Sequence, residues 1–248
     1  MSKPPTKPPS ATEFQPYRGK DRTAKDGIRH LWGRLSGRPL KPKMARMMTD
    51  VLPELACVPD DDGRVDLEAL FGEQPERLWL EVGIGAGEHL AWQGEANPDV
   101  RLIGAEFFLN GVASAVRHLH DQNLSNVRIM HGDGRVLVEG VPEGSVERAF
   151  VLHPDPWPKK RHHRRRFVTP DHLWPLARVM QEACEFRVAT DIEDYVRQTV
   201  SEVPNCGFDP IGDVERSWHQ CWPDWLSTRA IGRLLRLASP VKVAVISC

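Results

Sequence analysis

A chain of 248 residues with 40% apolar content is long enough to bury one full-sized core with an elaboration or a tail. Its net charge of −1 does not by itself mark a nucleic-acid binder, and no stretch approaches the roughly 20 apolar residues of a membrane span. The five cysteines (Cys57, Cys184, Cys206, Cys221, Cys248) never form a C-x-x-C pair, and MSKPPTKPPS lacks the apolar segment of a secretory signal. A zinc knuckle, a disulfide framework and export are disfavoured, and a soluble protein of the reducing cytoplasm is expected.

Charge is unevenly spread. Residues 1–48 hold twelve Lys/Arg against Glu13, Asp21 and Asp26. That arm is about +9 and the rest of the chain about −10, which suits local contacts with an anionic partner rather than a uniformly cationic surface. Residues 1–27 are rich in Pro, Lys, Thr and Gly without apolar periodicity and read as a disordered basic arm when no partner is bound. Residues 28–58 mix arginines, lysines and histidine with Leu31, Trp32, Leu35 and Leu40, and read as a basic extension that docks on the body and ends in a helix over Met44–Leu55. Residues 59–248 read as the main domain.

From Arg77 the pattern alternates between strands and helices. Strands are expected at Leu78–Gly83, Arg101–Glu106, Val127–Asp133, Val146–Leu152 and Glu185–Asp191. Helices are expected at Gly87–Ala96, Leu109–Gln122, Thr169–Gln181 and Ile192–Glu202, with a possible last strand at Val241–Ile246. Such alternation specifies an α/β fold, a Rossmann-like, doubly wound and mostly parallel sheet covered on both faces. Ligands of these sheets lie at the carboxyl ends of the strands, so Glu81, Glu106, Asp133, Asp155 and Asp191 are the candidates.

Glu81-Val-Gly83-Ile-Gly85-Ala-Gly87 joins the first strand to a helix. Its glycines allow a sharp turn and close approach of a ligand. The spacing is not the G-x-G-x-x-G of a dinucleotide site, and it resembles the first motif of S-adenosylmethionine-dependent methyltransferases. Glu106, nineteen residues after Gly87, is placed to accept both hydroxyls of a ribose, and Asp133 to reach an adenine amino group. Three successive strand ends carrying these acids form a cofactor signature.

The fourth strand runs into Pro154-Asp155-Pro156-Trp157, where proline holds the backbone stiff and biases the residue before it toward extended geometry. Eight residues, Lys159 to Arg166, then comprise six Lys/Arg with His162 and His163. A fixed carboxylate beside a dense cationic patch suggests a reaction centre next to a polyanion-binding surface, the plain alternative being a solvated loop. Trp157 either stacks a base or anchors the turn.

The order of motifs resembles the bacterial tRNA (guanine-N7)-methyltransferase family from about Ile28 to Val200, through LEVGIGAGEHL, IGAEFFLNGV, Leu124-Ser125-Asn126, HGD, PDPWPKKRHHRRR and ATDIEDY. The resemblance implies a class I methyltransferase that modifies guanine N7 in the tRNA variable loop, using S-adenosylmethionine and no metal. It implies cofactor binding by Glu81, Gly83, Gly85, Gly87, Glu106, Asp133 and Asp155, with Asp155 also at the reaction centre. Lys159, Asp191 and Thr228 would bind substrate, and Arg161, Arg164, Arg165 and Arg166 would bind tRNA. No apolar heptad decides between a monomer and a homodimer. The chain departs from the family at Gln181-Glu182-Ala183-Cys184, where a Lys-Pro-Gly-Gly turn is usual. It departs again at Ile231, where Thr-x-x-Glu is usual after Thr228. Two other readings compete: a tRNA-binding protein that has lost turnover, and an amino-group methyltransferase of nucleic-acid bases, for which Asn/Asp-Pro-Pro-Tyr is expected.

Overall fold

The computed structural model describes residues 14–20, 30–210, 222 and 242–247. Five parallel strands form the centre: β1 (Leu78–Val82), β2 (Arg101–Glu106), β3 (Val127–His131), β4 (Val146–Leu152) and β5 (Met180–Thr190). A short β6 (Asp209–Pro210) and an antiparallel β7 (Lys242–Ser247) complete a sheet of order β3-β2-β1-β4-β5-β7-β6. β1 pairs with both β2 and β4, so the winding reverses beside it and a crevice opens at the carboxyl ends there.

Helices cover both faces because the strands are apolar on both. Leu80, Ile103 and Val151 pack with Leu173 and Leu176 of α7 (Pro170–Val179), whereas Trp79, Leu102 and Phe150 pack with Val112 and Val116 of α5 (Leu109–Asp121). α4 (Glu88–Ala96) precedes α5, and between α5 and α7 in sequence lies α6 (Gly134–Gly140), capped by the Asp133 side chain, which accepts from Arg135 N at 3.0 Å. α6 is too short and glycine-bounded for a helical period to be visible in sequence. The helix expected over Met44–Leu55 is two, α1 (Pro42–Asp50) and α2 (Leu52–Leu55), with Pro53 opening the second. α3 (Leu67–Phe71) precedes β1, and α8 (Glu193–Glu202) follows β5.

β5 starts earlier than its sequence pattern suggests. Its pairing with β4 jumps from Val146–Met180 to Arg148–Glu185. At the jump stands Ala183 with φ 58°, so the turn that lacks glycine is made by an alanine in the left-handed region. Cys57 and Cys206 are free and buried, but Cys184 is in a disulfide, contrary to the expectation of reduced cysteines.

The arm also holds order where none was expected. Tyr17 bridges Gly132 in parallel, its N–H donating to His131 O and its carbonyl accepting from Asp133 N, both at 2.8 Å. Ala56 bridges Ile129, and Cys57 N donates to Ile129 O at 2.8 Å. Both contacts lie on the open side of β3, the edge of the sheet.

Candidate active site

The turn from β1 to α4 forms the floor of a cavity of about 650 Å³ at the carboxyl ends of β1, β2, β3 and β4. Its glycines divide by role. Gly83 (φ 79°) and Gly85 (φ 56°) line the cavity, and a Cβ on either would meet nothing within 4 Å. A Cβ on Gly87 would stand 2.4 Å from Ala115 Cβ and 2.6 Å from its Cα, so Gly87 lets α4 and α5 pack and does not face the cavity. Gly111 makes the reciprocal contact, since its Cβ would fall 2.4 Å from Gly85 O.

The strand-end acids are held in different ways. Glu106 Oε2 accepts from Gly85 N at 2.9 Å and Oε1 from Phe108 N at 2.8 Å, so the backbone presents both oxygens at the cavity wall. Burial pushes its carboxyl up from the ordinary range, against these hydrogen bonds. Glu81 Oε2 takes His89 Nδ1 at 2.8 Å. Asp133 is gripped in a two-oxygen fork by Arg135, with Nε at 2.9 and 3.0 Å and Nη2 at 2.6 Å from Oδ2. The sequence reading missed Arg135, although an N-capping Asp with Arg two residues on is a visible pattern for it.

Opposite this floor stands the Pro154-Asp155-Pro156-Trp157 turn. Two of the three residues here that precede a proline, His153 (φ 49°) and Trp157 (φ 41°), are left-handed rather than extended. His153 N donates to Ala189 O at 2.7 Å, which prolongs the β4–β5 pairing to the point where the chain turns. Backbone strain of this kind costs about 1–3 kcal/mol per residue and concentrates at functional sites. Its effect here is to set Asp155 at the cavity. Although its side chain is open to solvent on one side, desolvation raises its carboxyl above the usual range. Asp191 follows β5 outside the cavity lining; burial lowers the His153 imidazole from its ordinary range, and the Asp191 charge acts against that shift.

The cationic run forms a 3-10 turn, Lys160–Arg165. Lys159, Lys160, Arg161 and Arg164 are exposed. Arg165 lies between two indoles, 3.8 Å from the ring centre of Trp32 and 4.9 Å from that of Trp157. Arg166 is 1% exposed: its guanidinium donates to Pro156 O (2.9 Å), Gln198 Oε1 (2.8 Å) and Asp194 Oδ2 (2.8 Å), above the Tyr195 ring. Its expected contact with RNA is therefore corrected. Arg166 joins the turn to α8, and no donor is left facing outward in the manner of Arg164.

Residues 30–38 close the remaining side. His30 O accepts from Arg135 Nη2 (2.8 Å), Leu35 O from Leu109 N (2.9 Å), and Arg38 O from Asn110 Nδ2 (2.8 Å). Leu31, Trp32 and Arg34 line the cavity, and a Cβ on Gly33 would come 3.7 Å from Asp155 Oδ2. The basic extension thus forms a strap over the reaction side. The cavity brings together Glu81, Gly83, Gly85, Glu106, Asp133 and Asp155, but not Gly87, Lys159 or Asp191. Thr228 lies outside the described residues. No group of three or more His, Cys, Asp or Glu suited to a metal occurs among the described residues.

Residues 75–211 match a family model described as "Putative methyltransferase". A protein of Ruegeria sp. (strain TM1040) named tRNA (guanine-N(7)-)-methyltransferase is 50% identical over 214 residues, covering 84% of this chain and 83% of its own. The chain belongs to the tRNA (guanine-N(7)-)-methyltransferase family. Proteins of the same name from Ruegeria pomeroyi (49% identical over 214 residues, 84% of this chain and 90% of that one) and Cereibacter sphaeroides (46% over 223 residues, 87% and 90%) agree.

Proposed function

We propose that this enzyme methylates N7 of a guanine in the variable loop of tRNA, with S-adenosylmethionine as donor. The observation that carries the reading is the placement of Asp155 across one cavity from the Glu81–Gly85–Glu106 row, with exposed cations at its rim. The cavity suits the donor: its volume lies in the ordinary range for small-molecule sites, and its glycine floor is open. Glu106 can still accept two ribose hydroxyls, because each of its oxygens has one backbone donor and a further lone pair. The Asp133 carboxylate is committed to Arg135, so its reach to an adenine amino group uses the lone pairs that the fork leaves over. Glu81 faces the amino-acid end.

The donor supplies an electrophilic methyl carbon on a sulfonium. Guanine N7 has a lone pair and no proton, so the chain needs no base there. It must orient the ring and offset the positive charge the ring acquires. Asp155 does both by accepting from the N1/N2 edge of guanine, in a position fixed before the substrate arrives. Asp191, just after the next strand and outside the cavity lining, is the second acid that would contact the nucleoside. Lys159, Arg161 and Arg164 hold phosphates, which gives affinity without base identity.

The test is to incubate the protein with labelled donor and unmodified tRNA, then map the product by cleavage at 7-methylguanosine. Label recovered as N6-methyladenosine would replace the reading with an amino-group methyltransferase. Tight tRNA binding without transfer would reduce the protein to a binding module.

A further inference from the structure

Glu81, His89, Gln93 and Asn97 form a chain of side-chain hydrogen bonds running from the cavity floor into α4. Its polarity can be read from its far end. Asn97 Nδ2 lies 2.9 Å from the backbone carbonyl of Gln93, which can only accept, so this atom is a donor. The same nitrogen lies 3.1 Å from Gln93 Oε1, which fixes the Gln93 amide with its nitrogen toward His89. Gln93 Nε2 therefore donates to His89 Nε2 at 3.1 Å. A ring nitrogen that accepts carries no proton, so the imidazole proton sits on Nδ1 and is donated to Glu81 Oε2 at 2.8 Å. Edge-on packing of the His89 ring against Phe150, with centroids 4.9 Å apart, holds its plane. Glu81, His89 and Gln93 are all more than nine-tenths buried.

We infer that His89 is a positioning residue for the methyl-donor site: locked as the Nδ1-protonated neutral tautomer by Gln93 and Asn97, it orients Glu81 without cancelling its charge. An imidazolium at this distance would compete with a cationic ligand for the carboxylate, and the Gln93 N–H pointed at Nε2 prevents that. Only one carboxylate oxygen is used, and Glu81 Oε1 has no hydrogen bond among the described residues. It is left for a cation in the cavity, namely the ammonium of the amino-acid end. The inference rests on the donor assignment above, and it names the group that sets the strength of that contact.

The test combines a spectroscopic and a binding measurement on the full chain. In 15N-histidine spectra, with His89 assigned from its loss in His89→Phe, the expected pattern is a protonated Nδ1 and a bare Nε2 at neutral pH. The opposite tautomer, or a doubly protonated ring, overturns the inference. His89→Phe keeps an aromatic ring against Phe150 but cannot donate, and should weaken S-adenosylmethionine binding about 10- to 100-fold, the scale of one hydrogen bond to a charged group. His89→Gln, which restores a donor, should recover part of the loss. Binding of 5′-methylthioadenosine, which has no amino-acid end, should be unchanged in both variants. Equal weakening of the two ligands, or no weakening in folded His89→Phe, overturns the inference while leaving the donor assignment intact. A wild-type protein that binds neither ligand overturns both, with the tautomer pattern still readable.

Discussion

The two sides of the cavity are built by different means. On the side of β1, β2 and β3, each acid lies within two residues of its strand's end, and its partners come from the turns and helices just after the strands: Phe108 and the β1 turn's Gly85 for Glu106, Arg135 for Asp133, His89 for Glu81. On the side of β4 and β5, geometry comes from distant contacts. Trp32 meets Arg165, and Arg166 meets Asp194. On the first side residue type announces role. On the second, three adjacent arginines have three fates, because a 3-10 turn advances about 120° per residue and the chain turns extended at Arg166 just after it. Arg164 faces out, Arg165 lies between indoles, and Arg166 is interior.

Substitutions can sharpen this contrast. The largest effect is expected at Asp155: Asp155→Ala should lower kcat by about 10²–10³-fold, the scale of losing one preorganised electrostatic contact. Its tRNA affinity, measured by filter binding, should stay within twofold or so. Full activity would remove Asp155 from the mechanism. Next come the arginines. Lys159→Ala/Arg161→Ala/Arg164→Ala should leave the melting temperature alone and lower the slope of log affinity against log salt by about 2–3. Arg166→Ala should instead cost about 3 kcal/mol of stability, because it strips acceptors of a buried cation. If Arg166→Ala melted normally and lost only tRNA, the division between neighbours would be wrong.

The glycine turn offers a similar pair. Gly85→Ala should weaken donor binding with modest loss of stability. Gly87→Ala should destabilise by about 2–4 kcal/mol from overpacking against Ala115 plus left-handed strain, read in urea melts. For Glu106 the sign of the pH effect follows from burial. The folded carboxyl titrates above its unfolded value, so the native state retains a proton that the unfolded chain has already released. Stability therefore falls as pH rises from the ordinary glutamate range through the raised one. Glu106→Gln should abolish that slope and melt higher at neutral pH, while binding the donor more weakly. The smallest effect is expected at Ala183→Gly, which relieves the left-handed alanine and should stabilise by about 1 kcal/mol.

The parallel sheet and both its faces were legible because each strand is an unbroken apolar run between turn signals, as at Leu78–Val82 and Arg101–Glu106. The row of acids along the cavity was legible for the same reason, since strand ends are where side chains can face a crevice. The strap was not, because residues 30–38 have no apolar period and are held by backbone groups of Leu35 and Arg38, which any sequence supplies. The role of Arg166 was hidden by composition, since a run of cations in sequence carries no mark of which one turns inward. Nothing in the sequence singles out His89, yet its spacing of eight from Glu81 and four from Gln93 places it between them.

The Tyr17 and Ala56 bridges have a consequence for how the molecule keeps to itself. β3 ends the sheet, and an unpaired strand edge is a template for another chain. Two segments from the N-terminal part of the chain occupy that edge, using the backbone groups of Ile129, His131 and Asp133. A shortened protein that begins after residue 58 would bare a strand whose side chains include the buried Val127, Ile129 and Met130. Light scattering of such a fragment should show concentration-dependent association beyond any that the full chain shows.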